Sequence, residues 1–195
     1  DKDKLVPKAG PAVSTGTSQR FYRMSNAIRI QDYVDREALS GIVEGFVAYL
    51  GTAGIIYEAD GETAAGRVAS NFCGLLREAS EKKVGRWKGL CHEECWRISL
   101  ESIKQRQCHE ARCPGYLIIL SCPIFLNDMV IGAFNGAFGN PPTDETKLRE
   151  IAGLFGLELD RVKKIAEESR RVPEFTEAAR RHVEFSARII SRLVK

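Results

Sequence analysis

The chain has 195 residues, of which 29 are Lys or Arg and 26 are Asp or Glu, so its formal net charge is only +3. This length suits one globular domain that buries most of its apolar surface without disulfides. With 44% hydrophobic and 28% charged residues, the composition excludes a disordered or collagen-like chain. No apolar run approaches the roughly 20 residues of a membrane span. Because no apolar stretch follows the charged N-terminus, we expect no signal peptide and a cytoplasmic protein.

Three parts are expected along the chain. Residues 1–27 combine prolines, glycines and small polar residues without hydrophobic periodicity, which predicts a flexible linker. Residues 28–172 are predicted to form the main domain, and residues 173–195 a long helix for signalling or dimerisation. Basic residues of this region alternate with acids, which favours a solvated helix face over direct nucleic-acid contact. The helix has an apolar seam that packs either on its own domain or on a second copy: Val172, Phe175, Ala179, His182, Ser186, Ile189 and Leu193.

The hydrophobic pattern predicts an α+β fold, in which a small antiparallel sheet carries helices on one side. Asn127-Asp128 is expected to join the last two strands as a hairpin, and Pro123 indicates a strand edge or a bend. The segment 62–70 is ambiguous, and 108–113 is expected to be a loop. Helices are predicted over about 30–50, 71–80, 90–107, 144–155 with Thr143 as N-cap, 158–170 and 174–194, and strands over 53–59, 116–126 and 129–138.

The six cysteines are clustered in one part of the chain: Cys73, Cys91, Cys95, Cys108, Cys113 and Cys122. Without a secretion signal, a disulfide framework is the less favoured interpretation. Zinc or an iron–sulfur cluster bound by thiolates, small buried hydrophobes, and redox pairing all stay open. Cys91 and Cys95 lie one helical turn apart, so their sulfurs share a face. Cys122 lies within an apolar strand and is expected in the core.

A thiol enzyme is the alternative from another functional class. His92 or His109 would then activate a cysteine as a nucleophile. This is less favoured, because His92 and Cys91 are neighbours on a helix and point in different directions. A thiol enzyme also requires an exposed thiolate, whereas a sensor requires buried or metal-bound thiols.

Short motifs follow one another in a fixed order: Phe72-Cys73, then Cys91 or Cys95 on a helix, Cys113-Pro114-Gly115, Pro123-Ile124, and Gly132 with Gly136. In this order they resemble the PocR-type sensory domain, a PAS-like ligand-binding module of microbial signalling proteins. The resemblance covers roughly residues 28–193, and Cys108 has no counterpart in it.

The resemblance implies a non-enzymatic, PAS-like sensor of a small molecule, placed upstream of a kinase or transcriptional output domain. We expect no membrane or direct nucleic-acid partner, and a homodimer formed through the C-terminal helix. The predicted ligand-lining residues are Tyr57, Phe72, Trp87, Tyr116, Phe134 and Asn135. Zinc or an iron–sulfur cluster is expected at a convergent set of thiols, with the part played by Cys108 left open: Cys73, Cys91, Cys95 and Cys113.

Overall fold

The computed structural model of the protein describes residues 28–84 and 89–195, so the predicted linker 1–27 lies outside the described residues. Within the described part, no helix combines the length and hydropathy required to cross a membrane. The elements are a 3₁₀ turn over Ile30–Asp32, the helices α1 Arg36–Leu50, α2 Asn71–Val84, α3 Leu90–Gln105, α4 Glu145–Phe155, α5 Leu159–Glu168 and α6 Pro173–Leu193, and the strands β1 Ala53–Glu58, β2 Thr63–Val68, β3 His109–Arg112, β4 Ile118–Leu126 and β5 Met129–Phe138.

The described strands form one antiparallel sheet in the order β2-β1-β5-β4-β3. The predicted α+β fold with a long C-terminal helix is therefore confirmed. The expectation of helices on one side is wrong, because α1 and α6 cover one face and α3 covers the other. The reason lies in β5, which is buried at almost every position rather than at alternate ones. A strand that is buried on both faces requires cover on both.

Two edge strands, β2 and β3, were not predicted. The ambiguous segment after the first turn forms β2, and the expected loop at 108–113 forms β3. β3 contains no β-branched residue, and β2 has them only at its two ends, Thr63 and Val68. Their own sequences therefore favour no strand, and pairing with the neighbouring strand decides. β3 pairs with β4 only over 118–121. Pro123 lies beyond that stretch and has no β3 residue opposite it, so its missing N–H leaves no β3 carbonyl without a partner. This agrees with the predicted strand edge or bend.

The N-cap side chains of α1 and α4 explain why these helices begin later than predicted. α1 begins at Arg36 rather than near Ile30, because Asp35 accepts a hydrogen bond from a first-turn N–H at 2.8 Å. α4 is capped by Asp144 rather than by Thr143, with a corresponding bond of 3.0 Å. An aspartate at the N-cap accepts from backbone N–H groups that have no partner within the helix.

The C-terminal helix α6 packs on the sheet of its own domain. Of the predicted seam, Ala179 and Ser186 face the core, whereas Phe175 and Leu193 remain exposed. The stripe that faces the sheet is spaced by three or four residues, as expected for an amphipathic helix. Its members are Ala179, Val183, Ser186, Ala187 and Ile190.

A disulfide joins Cys108 to Cys122. The sequence interpretation disfavoured disulfides, and this pairing corrects it. His109 of β3 pairs with Ser121 of β4. Cys108, just before β3, therefore lies opposite Cys122, the residue after Ser121, and the two sulfurs come together. Cys122 is 2% exposed, so its predicted place in the core is confirmed.

Candidate functional site

Two adjacent spaces lie where the start of α3 meets the sheet. Alternate residues of a strand point to opposite faces, so β5 turns Asn135 and Ala137 toward α3. An inner cavity of about 30 Å³ is lined by these two residues and by thiols. An outer cleft of about 500 Å³ runs along β2 and the β1–β2 turn. Ile55, Arg77 and His92 line both spaces, so the cleft and the cavity are neighbours.

A buried polar network fixes α3 on the sheet at the inner cavity. Asn135 is 1% exposed, and its Nδ2 donates to the Cys95 carbonyl at 3.1 Å and to Ser99 Oγ at 3.0 Å. Ser99 Oγ donates to the same carbonyl at 2.9 Å and accepts from Ser121 Oγ at 3.2 Å. Buried polar groups of this kind are costly unless paired, so the network holds α3 in one register.

Tyr57 of β1 contacts two aromatic side chains of α3, His92 and Trp96, and His92 lines the cavity. Tyr57 is fully buried, and its hydroxyl lies 3.5 Å from Nδ1 of His92. Its ring lies 5.4 Å from that of Trp96, measured between centroids. Burial raises the pKa of the Tyr57 hydroxyl well above its ordinary value, and the nearby Cys95 thiol adds to the effect. Tyr57 therefore stays neutral and can donate a hydrogen bond.

Four cysteines, each partly buried, are free, and the first three of them line the cavity: Cys73, Cys91, Cys95 and Cys113. Burial, together with the nearby Cys113 thiol, raises the pKa of Cys73 to about 12. Burial likewise raises the pKa of the Cys91, Cys95 and Cys113 thiols, and neighbouring thiols add to the effect for Cys91 and Cys95. At neutral pH these groups are therefore protonated.

The metal expectation is not decided by this arrangement. Among the residues that the structure describes, no group of three or more His, Cys, Asp or Glu side chains is placed to hold a metal ion. The four thiols nevertheless lie close enough to influence one another's ionisation. Soft metals bind the thiolate, so binding here would have to release protons and draw the sulfurs closer. The metal role of these cysteines stays a prediction.

The profile of a known family, described as the sensory domain found in PocR, matches residues 32–195. The chain belongs to the PocR family of sensory domains. The predicted resemblance is thereby confirmed, and the match takes in almost all of the described residues, α6 included. No curated protein shows significant similarity to this PocR domain. A crystal structure described as the GAF domain/HD domain protein from Geobacter sulfurreducens is 17% identical, covers 73% of this chain and 98% of that one, and has a TM-score of 0.35.

The PocR domain does not bring all six predicted lining residues together. Asn135 lines the cavity, whereas Tyr57 does not line it and contacts His92, which does. Phe134 points to the other face and packs on Phe46, 5.6 Å away between ring centroids. Phe72 is buried in a separate cluster with α4 and α5. The Tyr116 hydroxyl donates to a glutamate of α4 at 2.6 Å. Trp87 lies outside the described residues.

Several residues that line these spaces were not predicted. Ala137 follows Asn135 by two positions, so the period of a strand could have found it. Arg77 follows Cys73 by four positions on α2, which places both on one helix face. Ile55 precedes the predicted Tyr57 by two positions in β1, so both side chains point to the same face. The period of a strand or a helix, applied to the predicted residues, therefore indicates all three positions.

Proposed function

We propose that this PocR domain senses a small organic molecule that binds between α3 and the sheet. One observation carries the proposal: a thiol-lined inner cavity and a larger polar cleft share Ile55, Arg77 and His92. Binding sites for small molecules typically combine an apolar recess with a few convergent polar groups. Membership of a sensory family supports the same conclusion.

The inner cavity suits a small end of the ligand, and the outer cleft suits a polar end. The inner cavity, about 30 Å³, has room for one or two groups of the size of a water molecule between alanine and thiol walls. The outer cleft carries Arg36, Arg77 and His92 against Glu62. Arg77 also pairs with Glu81 at 3.0 Å, which holds the guanidinium in place. The ligand is therefore a compact molecule whose polar end lies toward the two arginines.

Signal transmission would run through β5. Asn135 faces the cavity, and the next residue, Gly136, packs on Val183 of α6 on the other face. If the ligand binds better to one position of β5, it increases the population of the conformation in which α6 has moved together with that strand. In this proposal α6 passes the state to a kinase or transcriptional output domain in the cytoplasm, and the domain catalyses no reaction.

Melting temperatures test the proposal. A panel of short diols, alcohols and carboxylates is added to the purified domain at millimolar concentration. A ligand at a hundred times its Kd stabilises the native state by about 2.7 kcal/mol. We expect at least one chemical class to raise the Tm. A panel without any stabilising compound would contradict the proposal.

The thiols are part of the proposed site, and we propose that they also bind zinc or an iron–sulfur cluster in the holoprotein. Protonated or metal-bound thiols are poor nucleophiles. We therefore predict that the free cysteines of the native domain react with iodoacetamide far more slowly than those of the unfolded chain, as counted by mass spectrometry. Rapid native alkylation of one of them would instead favour a thiol enzyme.

The same purified protein shows whether the thiols are metal-bound or protonated. Anaerobic purification, elemental analysis and an absorption spectrum show whether zinc, or iron with sulfide, accompanies the protein. A chelator then accelerates alkylation if metal protects the sulfurs, and leaves it unchanged if protonation and burial do. Bound metal that survives the change of Cys73 and Cys95 to serine together would overturn the proposed ligand set.

The proposed homodimer uses the outer face of α6. Phe185 is 53% exposed, and Tyr49 of α1, 76% exposed, lies beside the same helix with its ring 6.3 Å from that of His182. Phe185→Glu is expected to convert the dimer to monomer, because a charge buried in the dimer interface is costly. Sedimentation measures the change, and Met129→Glu, at an exposed apolar position on the hairpin, serves as control. Equal masses for both variants would contradict this interface.

A further inference from the structure

The Cys108–Cys122 disulfide lies at the edge of the sheet, apart from the proposed ligand site. Its two sulfurs belong to residues in opposite environments. Cys108 precedes the edge strand β3 and is exposed. Cys122 is buried in the core cluster that also contains Ala187 and Ile190 of α6. An external reagent therefore reaches the disulfide from the side of Cys108.

A groove of about 460 Å³ runs beside this disulfide, between β4 and α6. Its floor is apolar and includes Pro123 and Phe125, and both cysteines line it. The walls are strongly basic, with Arg106, Arg188, Arg192 and Lys195 against a single acid, Glu184. A concave surface with one sign of charge attracts small ions of the opposite sign and raises their local concentration.

We propose that Cys108 is a site of thiol–disulfide exchange, modified by a small anionic thiol that binds in this basic groove. The thiol class is one that carries carboxylates, such as glutathione. The inference is independent of the proposed ligand site, since it concerns the other face of the sheet. Exposed disulfides are the exchange-prone class, whereas buried ones resist attack.

The exchange balances in two steps. A thiolate of the small molecule attacks Cys108 Sγ, the Cys108–Cys122 bond breaks, and its electron pair leaves on Cys122 Sγ, which takes a proton. A second thiolate attacks the outer sulfur of the mixed disulfide, so that Cys108 leaves as a thiolate and is protonated. The protein disulfide gains two electrons and two protons, and two small thiols become one small disulfide. The reverse sequence, with an oxidised small disulfide, restores the bond.

The test compares two reducing thiols on the folded domain. With the thiol ionised, glutathione is strongly anionic, whereas cysteamine carries no net charge because its ammonium group balances the thiolate. Both are used at equal thiolate concentration. Mass spectrometry of quenched samples follows the loss of the Cys108–Cys122 crosslink. We expect glutathione to be roughly tenfold faster, because the basic groove concentrates anions. The advantage should shrink with added salt and in the double variant Arg188→Gln, Arg192→Gln.

A second measurement assigns the attacked sulfur. Oxidised glutathione is added to Cys122→Ala, in which Cys108 is free, and to Cys108→Ala, in which Cys122 is free. The adduct is expected on Cys108 and absent from Cys122. Equal rates for the two reducing thiols, a crosslink that opens only on unfolding, or preferential labelling of Cys122 would overturn the proposal. The wild-type comparison stands even if a variant folds poorly.

Discussion

Asn135→Ala is expected to abolish the ligand-induced rise in Tm and to lower the stability of the domain by about 1–3 kcal/mol. The side chain donates to both the Cys95 carbonyl and Ser99 Oγ. Its removal takes away the link between β5 and α3 at the point where the cavity forms. The variant therefore loses both a polar group of the proposed site and the position of the helix that closes it. Thermal unfolding with and without the best compound of the panel measures both effects.

Asn140→Ala is the matched control. Asn140 is exposed, and its side chain forms two hydrogen bonds with the backbone of Arg171. Its Oδ1 accepts from the Arg171 N–H at 2.7 Å, and its Nδ2 donates to the Arg171 carbonyl at 2.9 Å. The control removes the same chemical group and a similar number of hydrogen bonds away from the cavity. Its ligand response should equal that of the wild type. A full response in Asn135→Ala would exclude this asparagine from the site.

Gly132→Ala is expected to destabilise the fold by about 3 kcal/mol, because it forces backbone apart in the centre of the sheet. A Cβ at Gly132 would lie 2.3 Å from the carbonyl oxygen of Tyr57 and 2.6 Å from Ile30 Cδ1. The carbonyl belongs to β1, so relief requires β1 and β5 to separate. In a domain of this size that change corresponds to a drop in Tm of roughly 6–12 °C.

Gly153→Ala provides the opposite expectation with the same chemical change. Gly153 lies within α4, and no described atom beyond its own helix lies within 4 Å of an added Cβ. Alanine favours the helix over glycine by about 0.5–1 kcal/mol, so this variant should be slightly stabilised. Both variants are compared by thermal unfolding. A Gly132→Ala protein as stable as the wild type would mean that β1 and β5 pack differently from the structure.

The predictable part of the fold is the part whose sequence carries its own signal. The hairpin of β4 and β5 combines two apolar runs with an Asn-Asp turn. α1 is terminated by the following residue, Gly51, which adopts the left-handed conformation with φ of 59°. Such features act within a few residues. They therefore appear in the sequence as clearly as in the structure.

The remaining features depend on contacts distant in sequence. β3 has the sequence HEAR, which favours no strand, and it pairs because β4 offers an open edge. The disulfide depends on that register, so it could not be predicted without knowing that β3 pairs with β4. At the site, Asn135 was predicted and its neighbour Phe134 was expected beside it. The period of the strand separates the two onto opposite faces, where Phe134 packs on Phe46 instead.

Hydrogen exchange with mass spectrometry tests the central claim most directly. The compound that raises the Tm most is added, and amide exchange is compared with that of the free domain. A ligand bound between α3 and the sheet should slow exchange in Leu90–Gln105 and in β1 and β5, and leave α4 and α5 unchanged. Protection confined to α4 and α5, or to the groove beside α6, would contradict the site.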